Sequence, residues 1–190
     1  MSATAESGRK GGKAGTRRLF FALWPDEPTR TAISEVAATA VPEAGGKPVP
    51  PDNYHITLRF LGNVDEKKMK SLRKAAELTF GMEQHIRLDR LGFWEGPGVV
   101  WLGCQKSQDD LLRLVVNLNT ELGGVGFPHE NRPFRPHVTL ARKGEQEPTT
   151  PLARGLDWHS SEFVLVASTQ DDKGSKYEVL ERYPLRKPEK

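Results

Sequence analysis

An α+β fold built on antiparallel sheets is what this 190-residue chain predicts, from three observations. Short apolar runs alternate with amphipathic stretches long enough for helices of three turns or more. Several of the runs come in pairs separated by turn-forming residues, as the strands of hairpins do. The length suits one domain with a substantial core and is short for two.

Leu19–Trp24 is a continuous apolar run closed by Pro25, the pattern of a buried strand. Asp26 then caps a helix with Pro28 in its first turn and Ile33, Val36, Ala37 and Val41 on one face. Pro42 and the Pro/Gly-rich stretch to Pro51 end it. A second helix starts near Asp65, with Met69, Leu72 and Ala76 at helical spacing. Ile86–Trp94 and Val99–Cys104 flank Glu95-Gly96-Pro97-Gly98 and predict a hairpin. Ser107 and Asp110 form a capping-box pattern for a third helix. Its apolar stripe is Leu111, Leu114, Val115, Leu118 and Leu122, and Gly123 stops it. Glu162–Thr169 and Tyr177–Tyr183, separated by Asp171-Asp172-Lys173-Gly174, predict a closing hairpin.

The composition, 36% apolar and 28% charged, is that of a water-soluble chain. No apolar run approaches the roughly 20 residues needed to span a bilayer, and the opening lacks the apolar segment of a secretory signal. One cysteine, Cys104, excludes an internal disulfide and fits a reducing compartment, so a cytoplasmic protein is expected; it is also expected to be a monomer. Within residues 1–18 five cations face only Glu6, so of the net +3 the first 18 residues hold +4 and the rest −1. Residues 1–17 are therefore expected to be a disordered basic tail, residues 18–185 one folded domain and residues 186–190 a short C-terminal tail. A broad nucleic-acid footprint is disfavoured, since it would need many cations on the body. A cleft that takes one nucleic-acid end is not.

Two segments carry chemistry. Pro50-Pro51-Asp52-Asn53-Tyr54-His55-Ile56-Thr57-Leu58-Arg59-Phe60 and Arg132-Pro133-Phe134-Arg135-Pro136-His137-Val138-Thr139-Leu140-Ala141-Arg142 share a proline-containing lead-in, then His, a β-branched residue, Thr and Leu. With 12 threonines, five histidines would give about 0.3 His-x-Thr matches by chance. In a strand, period-two alternation sends Tyr54, Ile56, Leu58 and Phe60 to the core and His55, Thr57 and Arg59 to the other face. Likewise Val138 and Leu140 point inward, and His137 and Thr139 outward. Two imidazoles could then flank one phosphorus, one as acid and one as base, with the threonines on its oxygens. Arg59 and Arg135 share the histidines' parity and could meet phosphates, or could equally be solvated cations. His85, His129 and His159 read as surface residues, and Trp24, Trp94 and Trp101 as core. No cluster of metal-ligating residues is visible, so no metal or other cofactor is expected.

These segments, with Arg18-Leu19-Phe20-Phe21-Ala22-Leu23-Trp24-Pro25, Leu91-Gly92-Phe93-Trp94, Val100-Trp101-Leu102-Gly103 and Tyr177-Glu178-Val179-Leu180, make the chain resemble the two-histidine phosphoesterase superfamily, in particular its bacterial RNA 2′,3′-cyclic phosphodiesterase branch. The resemblance covers about residues 18–185. It implies a two-lobed, pseudo-twofold fold with helices outside and the His-x-Thr strands lining a central groove. It further implies that His55 donates and His137 accepts a proton, that Thr57, Thr139 and Arg142 hold phosphate, and that cyclic phosphate ends of RNA or small cyclic nucleotides are opened to 2′-phosphates. Strict alternation turns Arg142 away from His137, so its role requires the strand to bend. Reversible 2′-5′ RNA ligation or cleavage, and a non-catalytic RNA-end binder, are the alternatives. Two matched proton carriers argue against the binder.

Overall fold

The structure, a computed structural model, describes residues 15–106, 108–171 and 174–187. In chain order the elements are β1 (Thr16–Leu23), α1 (Glu27–Ala44), β2 (Lys47–Pro48), β3 (Ile56–Asp65), α2 (Met69–Leu78), β4 (Gln84–Leu88), β5 (Arg90–Trp94), β6 (Val99–Gly103), α3 (Asp109–Gly124), β7 (His137–Arg142), β8 (Leu156–Ser160), β9 (Glu162–Asp171) and β10 (Gly174–Pro184). The main sheet runs β10-β9-β1-β3-β7-β6-β5, with β2 on β7, and all its pairings are antiparallel. β4 and β8 form a separate antiparallel pair.

The sheet is two half-sheets joined at one point. β3 and β7 meet through the single pair Ile56–Val138. These are the equivalent residues of the two repeats, one after each motif histidine, and equivalent residues facing each other antiparallel are what a local twofold axis requires. The helices tie the halves together. α1, which follows β1, packs on β6, β7 and β8, while α3, which follows β6, packs on α2 and β3. Each half therefore covers the other's sheet, and the buried faces of both belong to one core that includes Ile33, Leu72, Leu102, Leu114 and Trp158. Among the described residues no helix is long and apolar enough to cross a membrane.

Local chemistry accounts for the elements and for the differences from the sequence reading. Asp26 caps α1 by accepting a hydrogen bond from the Thr29 amide at 3.0 Å. Pro42 does not end this helix: it lies inside the last turn, and the stop is Gly45, at φ 70°, whose amide donates to the Pro42 carbonyl. Asp65 caps a 3₁₀ turn, Glu66–Lys68, that leads into α2. Ser107, half of the expected capping box, lies outside the described residues, but the apolar stripe of α3 is buried as expected. The run Ile86–Trp94 is two strands with different partners, β4 on β8 and β5 on β6. Asp89 separates them, its amide donating to the Gly103 carbonyl and its carboxylate accepting from the Gln105 amide. Strand β8 was not foreseen, because only Leu156 and Trp158 mark its inner face.

β1 is buried on both faces, which explains its unbroken apolar run. Leu19, Phe21 and Leu23 enter the main core, whereas Phe20 and Ala22 join a smaller cluster with Val164 and Val166. The strand also begins earlier than the expected end of the tail, since Thr16 and Arg17 pair with Asp65 and Val64. Truncation should therefore stop at residue 14. Removing residues 1–14, which hold no apolar periodicity, is expected to leave both the melting temperature and the turnover of a small substrate unchanged. A thermal melt and a rate on the shortened chain check this, and a drop in either would show that the segment supports the body.

Candidate active site

The Ile56–Val138 pair fixes the geometry of the site. Both side chains are fully buried, so their neighbours His55, Thr57, His137 and Thr139 stand on the opposite face. The antiparallel register sets His55 beside Thr139 and Thr57 beside His137, one residue to either side of that pair.

Each histidine is oriented by its own lead-in. His55 Nδ1 lies 2.7 Å from the Asn53 carbonyl, and His137 Nδ1 lies 2.7 Å from the Arg135 carbonyl. A carbonyl only accepts, so both Nδ1 atoms carry hydrogen and Nε2 is the nitrogen left for chemistry. The same bond, two residues back, recurs in both repeats. His55 Nε2 is 3.0 Å from the Thr57 hydroxyl. Asn53 is itself held by its side-chain amide, which donates to the Ser175 carbonyl at 2.9 Å.

Aromatic rings wall in both imidazoles. Trp24 stacks on His55 with centroids 5.4 Å apart and planes 7° apart, Phe20 lies at 4.9 Å, and Tyr177 meets it edge-on at 5.3 Å. Trp94 meets His137 edge-on at 4.6 Å. The expectation that Trp24 and Trp94 are core residues is thus corrected: both are half-buried and pack on the motif histidines. Burial in this setting lowers the His55 pKa to about 4, with the nearby His137 and Arg142 charges adding to the effect against the Asn53 carbonyl. His137 is lowered too, first by burial and then by Arg142.

Bulges decide what else reaches the site. β3 loses register with β1 at Leu58, because Thr57 pairs with Ala22 but Arg59 pairs with Phe21. β7 loses register with β6 at Leu140 in the same way, Thr139 pairing with Trp101 and Ala141 with Val100. One extra residue flips the parity beyond it. Ala141 is therefore buried, and Arg142 returns to the face of His137 and Thr139, as its expected role requires. In β3 the same flip overturns the strict-alternation reading. Arg59 turns inward, 7% exposed, with its guanidinium on the Pro128 carbonyl and 3.5 Å from Glu130. Phe60, expected in the core, is 40% exposed on the groove side.

The groove, of about 600 Å³, is lined by His55, Thr57, Thr139 and Arg142, with Phe60, Tyr177, Arg18, Lys47 and Lys143 around them. It has four cations and no carboxylate in its lining, and no ion pair among the described residues claims any of the four. The positive charge suited to a phosphate is thus local, despite the body's slight negative balance. Lys143 sits at φ 58°, the only described non-glycine residue at positive φ. His137 borders a second depression next to the groove, which Arg135 also lines. Sequence reasoning missed Phe60, Tyr177, Lys47 and Lys143 as lining residues.

The remaining expectations fall on the surface or in packing. His85, His129 and His159 are exposed, and His159 lies 3.1 Å from Glu83. Cys104 is half-buried with its thiol pushed up to about 11, chiefly by burial, which suits packing and not nucleophilic attack. Among the described residues no group of three or more His, Cys, Asp and Glu could hold a metal ion.

Comparison with known proteins gives one consistent result. The LigT-like phosphoesterase family model matches twice, at residues 23–101 and 102–177, one match for each His-x-Thr repeat. The RNA 2′,3′-cyclic phosphodiesterase of Escherichia coli K12 is 36% identical over 171 residues, 89% of this chain and 97% of that protein. Its Thermus thermophilus counterpart is 36% identical over 89% of this chain and 90% of its own length. The crystal structure of apo E. coli LigT superposes with a TM-score of 0.80 at 35% identity, covering 91% of this chain and 99% of that one. The same protein complexed with 3′-AMP gives 0.79 at 34% identity over 90% and 98%. On the doubled motif, the bilobal antiparallel fold and these matches, the chain belongs to the LigT-like phosphoesterase family.

Proposed function

We infer that this protein is an RNA 2′,3′-cyclic phosphodiesterase that opens cyclic phosphate ends of RNA and of small nucleotides to 2′-phosphates. The observation that carries the reading is the pair of imidazoles on adjoining strands, each with Nδ1 committed to a backbone carbonyl, beside a groove rich in cations. Relatives at 36% identity carry this activity in their names.

The geometry supports the following mechanism, in which the acid and base roles and the leaving oxygen are those the family resemblance implies. The cyclic phosphate binds across Thr57 and Thr139, with Arg142 supplying charge to oxygens that become more negative in the transition state. His137 takes a proton from the attacking water through Nε2. His55, protonated, gives one to the leaving 3′ oxygen on the opposite side, as in-line displacement requires. Free His55 is neutral at pH 7 because of its burial, and the bound phosphate anion restores its proton by favouring the imidazolium. The exposed ring of Phe60, with the Arg18 guanidinium 4.9 Å from its centre, offers a platform for the nucleobase.

Turnover of a 2′,3′-cyclic mononucleotide, followed by phosphorus NMR with and without excess EDTA, tests the reading. A single 2′-phosphate product that survives chelation is expected. No turnover would leave only end binding. A 3′-phosphate would reverse the assumed ribose orientation, and loss restored by one divalent ion would require a metal in the mechanism.

A further inference from the structure

The depression on the far side of His137 contains features that hydrolysis of a mononucleotide does not use. It has a volume of about 620 Å³, within the range of roughly 300–1,000 Å³ for small-ligand sites. The pairing Thr139–Trp101–Gly92 and its neighbour His137–Gly103–Arg90 run across one face of the sheet, so the depression is continuous with the phosphate-holding residues. Trp101 forms its floor. A Cβ at Gly92 would strike the six-membered ring of this indole, and one at Gly103 would lie 3.0 Å from its Cζ3. Two glycines thus let the indole lie flat on the sheet with its other face turned to the depression. Trp94 stands beside it, centroids 5.4 Å apart. Around this floor are three exposed cations, Arg90, Lys106 and Arg135, and one carboxylate, Glu147. Arg90 sits 5.9 Å from the Trp101 ring centre, and no ion pair among the described residues claims any of the three cations.

A flat aromatic ring bordered by unpaired cations is the surface that binds single-stranded nucleic acid without sequence preference. We propose that this depression is a second nucleotide subsite, which stacks the base 5′ to the cyclic end on Trp101 and holds that nucleotide's phosphate with Arg90 and Lys106. This rests on the cyclic phosphodiesterase reading and extends it: the enzyme prefers an RNA end to a free nucleotide. The terminal nucleoside, with its leaving oxygen at His55, occupies the His55 side. The chain 5′ to it therefore folds back over Thr57 and Thr139 to set the next base on Trp101, and the preference comes from the His137 side. Arg90 and Lys106 lie outside the groove lining, and no ion pair or hydrogen bond among the described residues joins them to either motif histidine, so they serve the neighbouring nucleotide and not the reaction itself.

Steady-state kcat/KM for a cyclic mononucleotide, against di- and trinucleotides ending in a 2′,3′-cyclic phosphate, tests the proposal. The unsubstituted protein should favour the dinucleotide by about tenfold or more, one base stack's worth. The double variant Arg90→Ala/Lys106→Ala changes only exposed side chains. It should keep the mononucleotide rate and lose most of the dinucleotide gain, and Trp101→Leu, checked by thermal melt, should do the same. Equal kcat/KM for mono- and dinucleotide in the unsubstituted protein would overturn the subsite while leaving the phosphodiesterase standing. So would a double variant that keeps the full gain. If an RNA with a free 5′-hydroxyl and no cyclic phosphate inhibits mononucleotide turnover while the dinucleotide gains nothing, the depression binds a separate strand and the assignment to the same chain fails. Absence of turnover on every cyclic phosphate would instead sink the underlying activity.

Discussion

Replacing either motif histidine by alanine is expected to lower kcat by a factor of about 10² to 10⁴, with the fold retained. In the proposed mechanism both imidazoles act in one displacement, so the double variant should lose far less than the product of the single losses. The pH dependence carries the sharper signature. In the free protein both histidines are depressed, His55 to about 4, so the form with a proton on His55 and none on His137 is a minor one at pH 7. The profile of kcat/KM should be a bell whose maximum lies below 6.5, its two limbs belonging to the coupled pair and not to either ring alone. The kcat profile should lie at higher pH, because the bound phosphate favours the imidazolium. An alkaline limb of kcat/KM above 7 would show that burial does not control these rings, and near-full activity in a folded His55→Ala or His137→Ala protein would remove the assignment. Stability follows the same shift. Between pH 6.5 and about 4 the unfolded chain binds a proton on His55 that the folded one refuses. Stability present above 6.5 is therefore lost as pH falls through that window, by up to roughly 3 kcal/mol, and His55→Ala should flatten this part of the dependence.

What the sequence disclosed and what it hid divide along one physical line. Patterns confined to a single element were legible. The stripe of α3, the cap of α1 and the double-sided apolar run of β1 each follow from the composition of their own segment. The two His-x-Thr segments were legible because they occur twice. Properties set by a partner strand were not. Ile86–Trp94 reads as one strand until Asp89 is seen to divide it between two sheets. Trp24 reads as core until its stacking on His55 and its edge contact with Tyr177 of β10 place it in the wall of the site. Phe60 is the most instructive residue. Aligning the repeats through their sixth positions sets Phe60 against Arg142, and any bend that returns Arg142 to the groove must return Phe60 as well. Parity within the second repeat alone shows the need for a bend at Arg142, whereas nothing within the first repeat marks the matching bend before Phe60. The same bulge turns Arg59 from the groove face, where strict alternation puts it, into the interior.

The twin bulges make Arg142 the second residue whose loss should be large. Without the extra residue at Leu140, Arg142 would point into the core; with it, its guanidinium shares the groove with Thr139, and its charge is felt by both imidazoles. The corresponding position of the first repeat is Phe60, so the pseudo-twofold site has one cation and one aromatic ring where symmetry would give two alike. In the proposed mechanism that asymmetry gives the phosphate a fixed side on which to place its growing charge. Removing a donor of this kind costs about 10² to 10³ in rate, so Arg142→Met should lose about 10²-fold in kcat/KM and Arg142→Lys should recover part of it. A second readout separates this role from mere packing. The Arg142 charge lowers the pKa of both histidines, so its removal should raise them and move the kcat/KM maximum to higher pH. Because Arg142 is exposed and outside the core, the melting temperature of Arg142→Met should stay close to that of the parent. An Arg142→Met protein with more than half the parent rate and an unmoved pH maximum would show that the bulge at Leu140 shapes the strand and leaves the phosphate to the threonines alone.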